Sequence, residues 1–214
     1  MMDVQQSFGR KAPRAFRREQ LIEATISTLA RRGLADTTLS DVARAAGVSH
    51  GLINFHFQSK ERLLAETLSF LSEEHRTNWT SALAAAGSDP VLRLNALITA
   101  EFDETYLTAD RTSAWVVFWG ESQSMPRYLE QCGENDRAQI RAFEETCKAL
   151  AEDEGYAIDP ALAARMLRLT IEGILLELMF SAQPYSIAEA RRTAFYCASM
   201  LFPRHFTPDG LINR

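Results

Sequence analysis

Three capping residues and one glycine, set at close intervals between Thr37 and Leu64, restrict this chain to few folds. Thr38 can cap a short helix over Leu39 to Ala46, with Asp41 as the acid of a capping box, and Gly47 stops it. Ser49 then caps a second short helix, from about His50 to Phe55, and Ser59 starts a long one through Leu63, Leu64, Leu68 and Leu71 to about Ala86. Val42, Ala43 and Ala46 fall on one inward face. Upstream, Phe16, Leu21, Ile22, Thr25, Thr28 and Leu29 form a helical stripe over residues 14–32 that Gly33 ends. Two short helices joined by a glycine turn, behind a longer supporting helix, are the helix-turn-helix signal.

Helical spacing continues downstream. Further helices are expected at about 90–107, 111–122, 126–154, 160–182 and 187–202, with Pro90, Pro160 and Pro184 as punctuation. Gly133 lies inside one of these spans, and the sequence leaves open whether the helix breaks there. No alternating strand pattern and no repeat is present, so the expected class is all-α. Residues 1–13 are expected to be a disordered arm, 14–60 the helix-turn-helix domain and 61–214 a larger helical domain.

Charge separates the same two parts. Residues 1–63 hold ten Lys/Arg and six Asp/Glu, a balance of +4, so the remainder carries −9 of the overall −5. A basic head on an acidic body suits a chain that puts only its head on phosphate. The three cysteines, Cys132, Cys147 and Cys197, have neither metal-ligand spacing nor an even count, and they are read as reduced thiols of a cytoplasmic protein. No apolar run is long enough for a membrane span, and no apolar core of a signal peptide follows the early basic residues. The four histidines are scattered and no nucleophile, zinc or phosphate-loop motif occurs, so the chain is not read as an enzyme and no cofactor is expected.

In the head, Ser49 and Gly51 open a helix where backbone N–H groups can approach a phosphate. His50 and Asn54 can reach base edges, Lys60 and His56 suit phosphate, and Thr38 and Arg44 can clamp the DNA backbone. For His56 a second reading stands beside the first: a core-edge imidazole bonded within the chain.

The order Thr37-Thr38-Leu39, Val42-Ala43, Ala46-Gly47-Val48-Ser49, Gly51, His56-Phe57 and Lys60 resembles the head of the TetR family. That resemblance implies a three-helix DNA-binding head and a C-terminal helical domain for ligand binding and dimerisation. It also implies a repressor that binds a pseudo-palindromic double-stranded operator as a homodimer. Asn54 departs from the pattern, which usually has tyrosine there, and an amide can read adenine.

Further along, Phe102-Asp103-Glu104-Thr105 and Ala114-Trp115 with Phe118-Trp119 resemble the BetI subgroup of that family. This implies control of betaine-synthesis genes with choline as inducer. Trp115 and Trp119 lie four apart on one helix face with Phe118 beside them, and Glu101, Asp103 and Glu172 supply carboxylates. Aromatic faces and carboxylates hold a quaternary ammonium, which has no proton to donate. The same aromatic stripe also reads as plain core, and a different small cationic or apolar ligand is the alternative within the class. For the dimer, Leu169, Gly173, Leu176, Phe180, Phe195 and Phe202 are the expected interface on the last two long helices.

Overall fold

The computed structural model describes residues 13–121, 126–181 and 183–212. The expected arm at 1–13 therefore lies outside the described residues except for Pro13. Helices run α1 Arg14–Arg32, α2 Leu39–Ala45, α3 His50–Phe57, α4 Lys60–Ala86, α5 Pro90–Ala100, α6 Ala109–Glu121, α7 Pro126–Glu154, α8 Pro160–Phe180 and α9 Ile187–Leu201. A short antiparallel hairpin, β1 Phe206–Thr207 with β2 Gly210–Leu211, pairs Phe206 with Leu211 and closes the described chain.

The helix starts are set where the sequence puts polar caps. The side chains of Thr38, Ser49 and Ser59 accept from the backbone N–H of Asp41, Leu52 and Arg62. Asp89 and Asp159 do the same ahead of Pro90 and Pro160, whose missing N–H costs nothing in the first turn. Ser186 and Glu189 form a full capping box on α9. Gly47, at φ 66°, makes the left-handed turn between α2 and α3.

One difference from the sequence reading has a local cause. α5 stops at Ala100 rather than near 107, because Asp103 turns the chain: its Oδ1 accepts from Thr105 N and its carbonyl from Tyr106 and Leu107 N. α7 runs through Gly133 without a break. The hairpin was not anticipated, since two residues per strand leave no alternation to read.

Buried side chains fall into two clusters. One joins Leu21, Ile26 and Leu29 of α1, Val42 of α2, Ile53 and Phe57 of α3, and Leu63, Leu68 and Leu71 of α4 to Ala114 and Phe118 of α6. The other gathers Trp79 and Leu83 of α4 with apolar residues of α5, α7, α8, α9 and the hairpin. α4 runs through both. Near its middle it is tied to α7, where Asn135 donates to the Ser72 carbonyl (3.2 Å) and accepts from the Trp79 indole (3.3 Å). No described helix is long and apolar enough to cross a membrane.

Candidate functional site

α3 has a buried and an exposed face. Ile53, His56 and Phe57 are buried, while Ser49, His50, Gly51, Asn54 and Phe55 are exposed. His50 and Asn54 are one turn apart, and the Asn54 amide donates to His50 Nδ1 at 3.0 Å, so the two form one polar edge. A Cβ on Gly51 would meet nothing among the described residues nearer than Ser49 Oγ at 4.0 Å, so no contact among them requires a glycine there. Arg44 on α2 is exposed and leans on Asp41 at 3.3 Å. Asp41 is held below the usual carboxylate range, chiefly by the Thr38 hydroxyl, which donates to it at 2.6 Å, with Arg32 and Arg44 adding to the effect.

Two residues expected on phosphate are engaged elsewhere. His56 is buried on the inner face of α3, one turn beyond Ile53. Burial, with Arg14, Arg18 and Arg17 nearby, lowers its pKa, so it is a neutral core-edge imidazole near pH 7. The Lys60 ammonium donates to the Leu34 and Ala35 carbonyls at 2.7 and 3.3 Å, tying the start of α4 to the turn after α1. The sequence reading gave no role to Phe55, which is 66% exposed with the Arg14 guanidinium 5.7 Å from its ring centre. Its spacing four residues after Gly51 was the available signal.

A second feature is a cavity of about 400 Å³ between α4, the α5–α6 turn, α6, α7 and α8. Trp115 and Trp119 form one wall, with ring centres 6.1 Å apart and planes tilted by 39°. Leu71, Phe143, Leu175 and Met179 add apolar surface. Among the described residues, five carboxylates line it, Glu74, Glu101, Asp103, Asp136 and Glu172, against two guanidiniums, Arg111 and Arg168. Arg168 pairs with Glu172. Arg111 bonds Glu74 at 2.9 Å and Glu23 of α1 at 2.7 Å, and these contacts push its pKa further up. Glu101 accepts from Gln139 at 2.6 Å and lies 3.3 Å from His75 Nε2. The surroundings of Asp136 desolvate it and raise its pKa.

Phe118 is not in this wall. Its side chain is 1% exposed and belongs to the cluster with α1 and α4. On a helix it shares a face with Ala114, four residues earlier, and that stripe meets α1, whereas Trp115 and Trp119 point to the cavity. Of the expected ligand residues, the cavity therefore collects Glu101, Asp103, Trp115, Trp119 and Glu172. His75, Asp136 and Gln139 were missed because helical polar residues scattered along α4 and α7 look like a solvated face until the fold turns them inward.

A third feature is an apolar stripe along α8. Leu162, Met166, Leu169, Gly173, Leu176 and Phe180 are exposed, and Tyr196 and Met200 extend the patch onto α9. Phe180 is 68% exposed. Phe195 and Phe202, expected here, are core residues instead: Phe195 stacks on Phe206 at 6.1 Å and Phe202 meets Tyr156 edge-on at 5.3 Å. The terminal hairpin covers the side of α9 that the sequence left open.

Residues 21–67 match the family model of bacterial regulatory proteins of the tetR family, and residues 90–203 match that of the BetI-type transcriptional repressor C-terminal domain. The chain belongs to the TetR family, with a BetI-type C-terminal domain. Among related sequences, the HTH-type transcriptional regulator BetI of Cronobacter sakazakii is 34% identical over 176 residues, 82% of this chain and 85% of that protein. Its counterpart in Burkholderia thailandensis is 31% identical over 195 residues, 89% of this chain and 96% of that one. A putative transcriptional regulator from Pseudomonas aeruginosa superposes with a TM-score of 0.74 at 27% identity, covering 93% of this chain and 96% of that one. A putative regulator from Saccharomonospora viridis, solved in complex with choline, shares the fold with a TM-score of 0.72 at 22% identity, covering 84% and 94%. This chain is thus a TetR-type transcriptional regulator and not an enzyme. The BetI-type match spans α5 to α9, while Glu74 and His75 lie between the two matched segments.

Proposed function

We propose that this TetR-family regulator is a repressor that holds a pseudo-palindromic operator as a homodimer and leaves it when a small quaternary ammonium ion of the choline class enters the cavity. The observation that carries the reading is the pair Trp115 and Trp119 lining one cavity with an excess of carboxylates over guanidiniums among its described residues. An aromatic face is worth about 0.5–2 kcal/mol to a cation, more when water is excluded. A methylated ammonium takes nothing from hydrogen-bond acceptors except charge, so rings plus carboxylates are what it needs. The choline complex of the Saccharomonospora viridis neighbour supports the same class.

The exposed α8 stripe suits a second copy of the chain, and paired heads suit paired half-sites about one helical turn apart or more. In each head, Ser49, His50, Gly51 and Asn54 would meet the groove, and Thr38 and Arg44 the phosphates. A cytoplasmic site of action and control of betaine-synthesis genes follow from that reading. The ligand needs a differential affinity of only about 1–3 kcal/mol between the DNA-bound and released forms.

The test is a gel shift on the DNA upstream of the chain's own gene, with choline, betaine aldehyde, glycine betaine and a neutral carbon isostere of choline in parallel. Release by choline and betaine aldehyde, with little effect of the zwitterion or the isostere, is expected. Release by the neutral isostere alone would replace the cation with an apolar ligand.

A further inference from the structure

Among the groups facing the cavity is an imidazole, whose charge depends on pH as an arginine's does not. His75 of α4 is part-buried in the wall with Nε2 3.3 Å from one Glu101 oxygen and 3.4 Å from the other. Gln139 of α7 donates to the same carboxylate at 2.6 Å and lies 3.3 Å from His75 Nε2. The imidazole meets Trp115 edge-on, ring centres 6.4 Å apart. His75 thus touches both Trp115 and Glu101: a titratable ring between an aromatic wall and a carboxylate.

We infer that His75 and the ligand cation compete for the charge of Glu101, so that a cation enters the cavity by displacing one proton from His75. This rests on the cation reading of the cavity given above. In the empty site an imidazolium at His75 is the resident counter-ion of Glu101. A quaternary ammonium against the Trp115 and Trp119 faces would sit beside that imidazolium, and two cations in one cavity repel. His75 then gives its second proton to the bulk buffer and stays as a neutral ring beside the carboxylate.

Among the described residues, the other charges lining the cavity with His75 are Glu74 on α4, Arg111 on α6, Asp103 in the α5–α6 turn, Asp136 on α7, and Arg168 with Glu172 on α8. Arg111 is held by Glu74 and Glu23, and Arg168 by Glu172, so neither is free to replace the imidazolium. Burial alone would push the His75 pKa down, but the charge and hydrogen bond of Glu101, helped by Asp136, outweigh it and leave it raised above the ordinary imidazole value. A raised value in the empty site means that protonation favours the empty form. Cation affinity should therefore be full above that value and fall as the pH drops through it, by about tenfold per pH unit for one proton.

The experiment is calorimetric titration of choline into the full-length protein from about pH 5.5 to about pH 8.5, each point in two buffers of different ionisation enthalpy. Near the acid end, choline should release close to one proton per site and bind more than tenfold more weakly than at the alkaline end. His75→Gln should bind choline with neither proton release nor this loss. Should that variant not fold, the titration of the His75 ring resonance in the unaltered protein decides, because choline must lower its midpoint. Choline binding at every pH with no proton exchanged would overturn the inference and leave the cation reading standing. A pH dependence that survives in His75→Gln would move the proton to Asp136 and also overturn it. No choline binding even at the alkaline end would remove the cation reading itself and this inference with it.

Discussion

Replacing Phe118 by alanine should separate folding from sensing. The sequence places Phe118 in the same aromatic stripe as Trp115 and Trp119, yet its ring is 1% exposed and packed among α1, α4 and α6. Truncating a fully enclosed phenyl forfeits its transfer free energy and leaves a cavity, a loss of about 3–5 kcal/mol. The neighbours are helices pinned at several other points, so collapse into the gap is limited and the upper half of that range is expected. Urea unfolding followed by far-UV circular dichroism, at one fixed protein concentration because association shifts the midpoint, reads the loss. Choline affinity of the folded variant should stay within about twofold, since no Phe118 atom lines the cavity. Trp119→Ala should do the reverse: it opens the cage and weakens choline about tenfold or more, with a smaller stability cost because the indole is only partly buried. The reasoning fails if Phe118→Ala unfolds within about 1 kcal/mol of the parent. It fails equally if a folded Phe118→Ala loses choline while Trp119→Ala keeps it.

Arg44→Ala should weaken operator and random DNA alike and reduce the slope of affinity against salt by about one, whereas Lys60→Ala, whose ammonium is on the Leu34 and Ala35 carbonyls, should cost about 1 kcal/mol of stability with a smaller change of slope. Filter binding at several salt concentrations measures both. Phe55→Ala should lower discrimination at one A·T pair by about 1 kcal/mol, read by substituting each operator position, because an exposed ring on the reading face can meet a thymine methyl. Leu169→Glu should shift the protein to monomer in sedimentation and weaken operator binding more than tenfold, since it sets a charge in the α8 stripe. Burial pushes the thiols of Cys132 and Cys147 up to about 11 and about 12, so a maleimide at pH near 8 should label neither until urea is added.

The helices were legible because their ends are written in side chains. Thr38, Ser49, Ser59, Asp89, Asp159 and Ser186 each accept the N–H bonds that a helix start leaves open. What the sequence could not resolve was which way a residue on a two-sided helix points. Phe118 and Trp119 are adjacent in a helix that has one face on the cavity and another on α1, and both faces are aromatic. Phe195 and Phe202 read as surplus apolar area until the hairpin at Phe206 and Leu211 gives them a cover. His75 and Asp136 were invisible for the opposite reason. Each is a polar residue in a polar stretch, and only the packing of α4 against α7 and the α5–α6 turn sets them around Glu101.

On the function proposed above, that two-sidedness of α6 is also the route by which an occupied cavity would act on the head. Trp115 and Trp119 meet whatever occupies the cavity, while Ala114 and Phe118 are locked into the cluster that holds α1 to α4. The same link is made in polar form at the start of the helix. Ser27 of α1 donates to Asp110 at 2.6 Å, and Arg111 bridges Glu23 of α1 to Glu74 of α4. A ligand that moves the tryptophans cannot do so without moving the side chains between the body and the first helix of the head, because a close-packed contact transmits displacement rather than absorbing it. Cutting only the polar link should therefore leave choline affinity nearly intact and reduce the factor by which choline weakens DNA. In the double variant Glu23→Ala with Ser27→Ala, neither of which lines the cavity, that factor should fall by about threefold to tenfold, from removal of roughly 1 kcal/mol of coupling. If that double variant responds to choline as fully as the parent, the apolar contact at Phe118 alone carries the signal, and α1 follows α6 by packing rather than by charge.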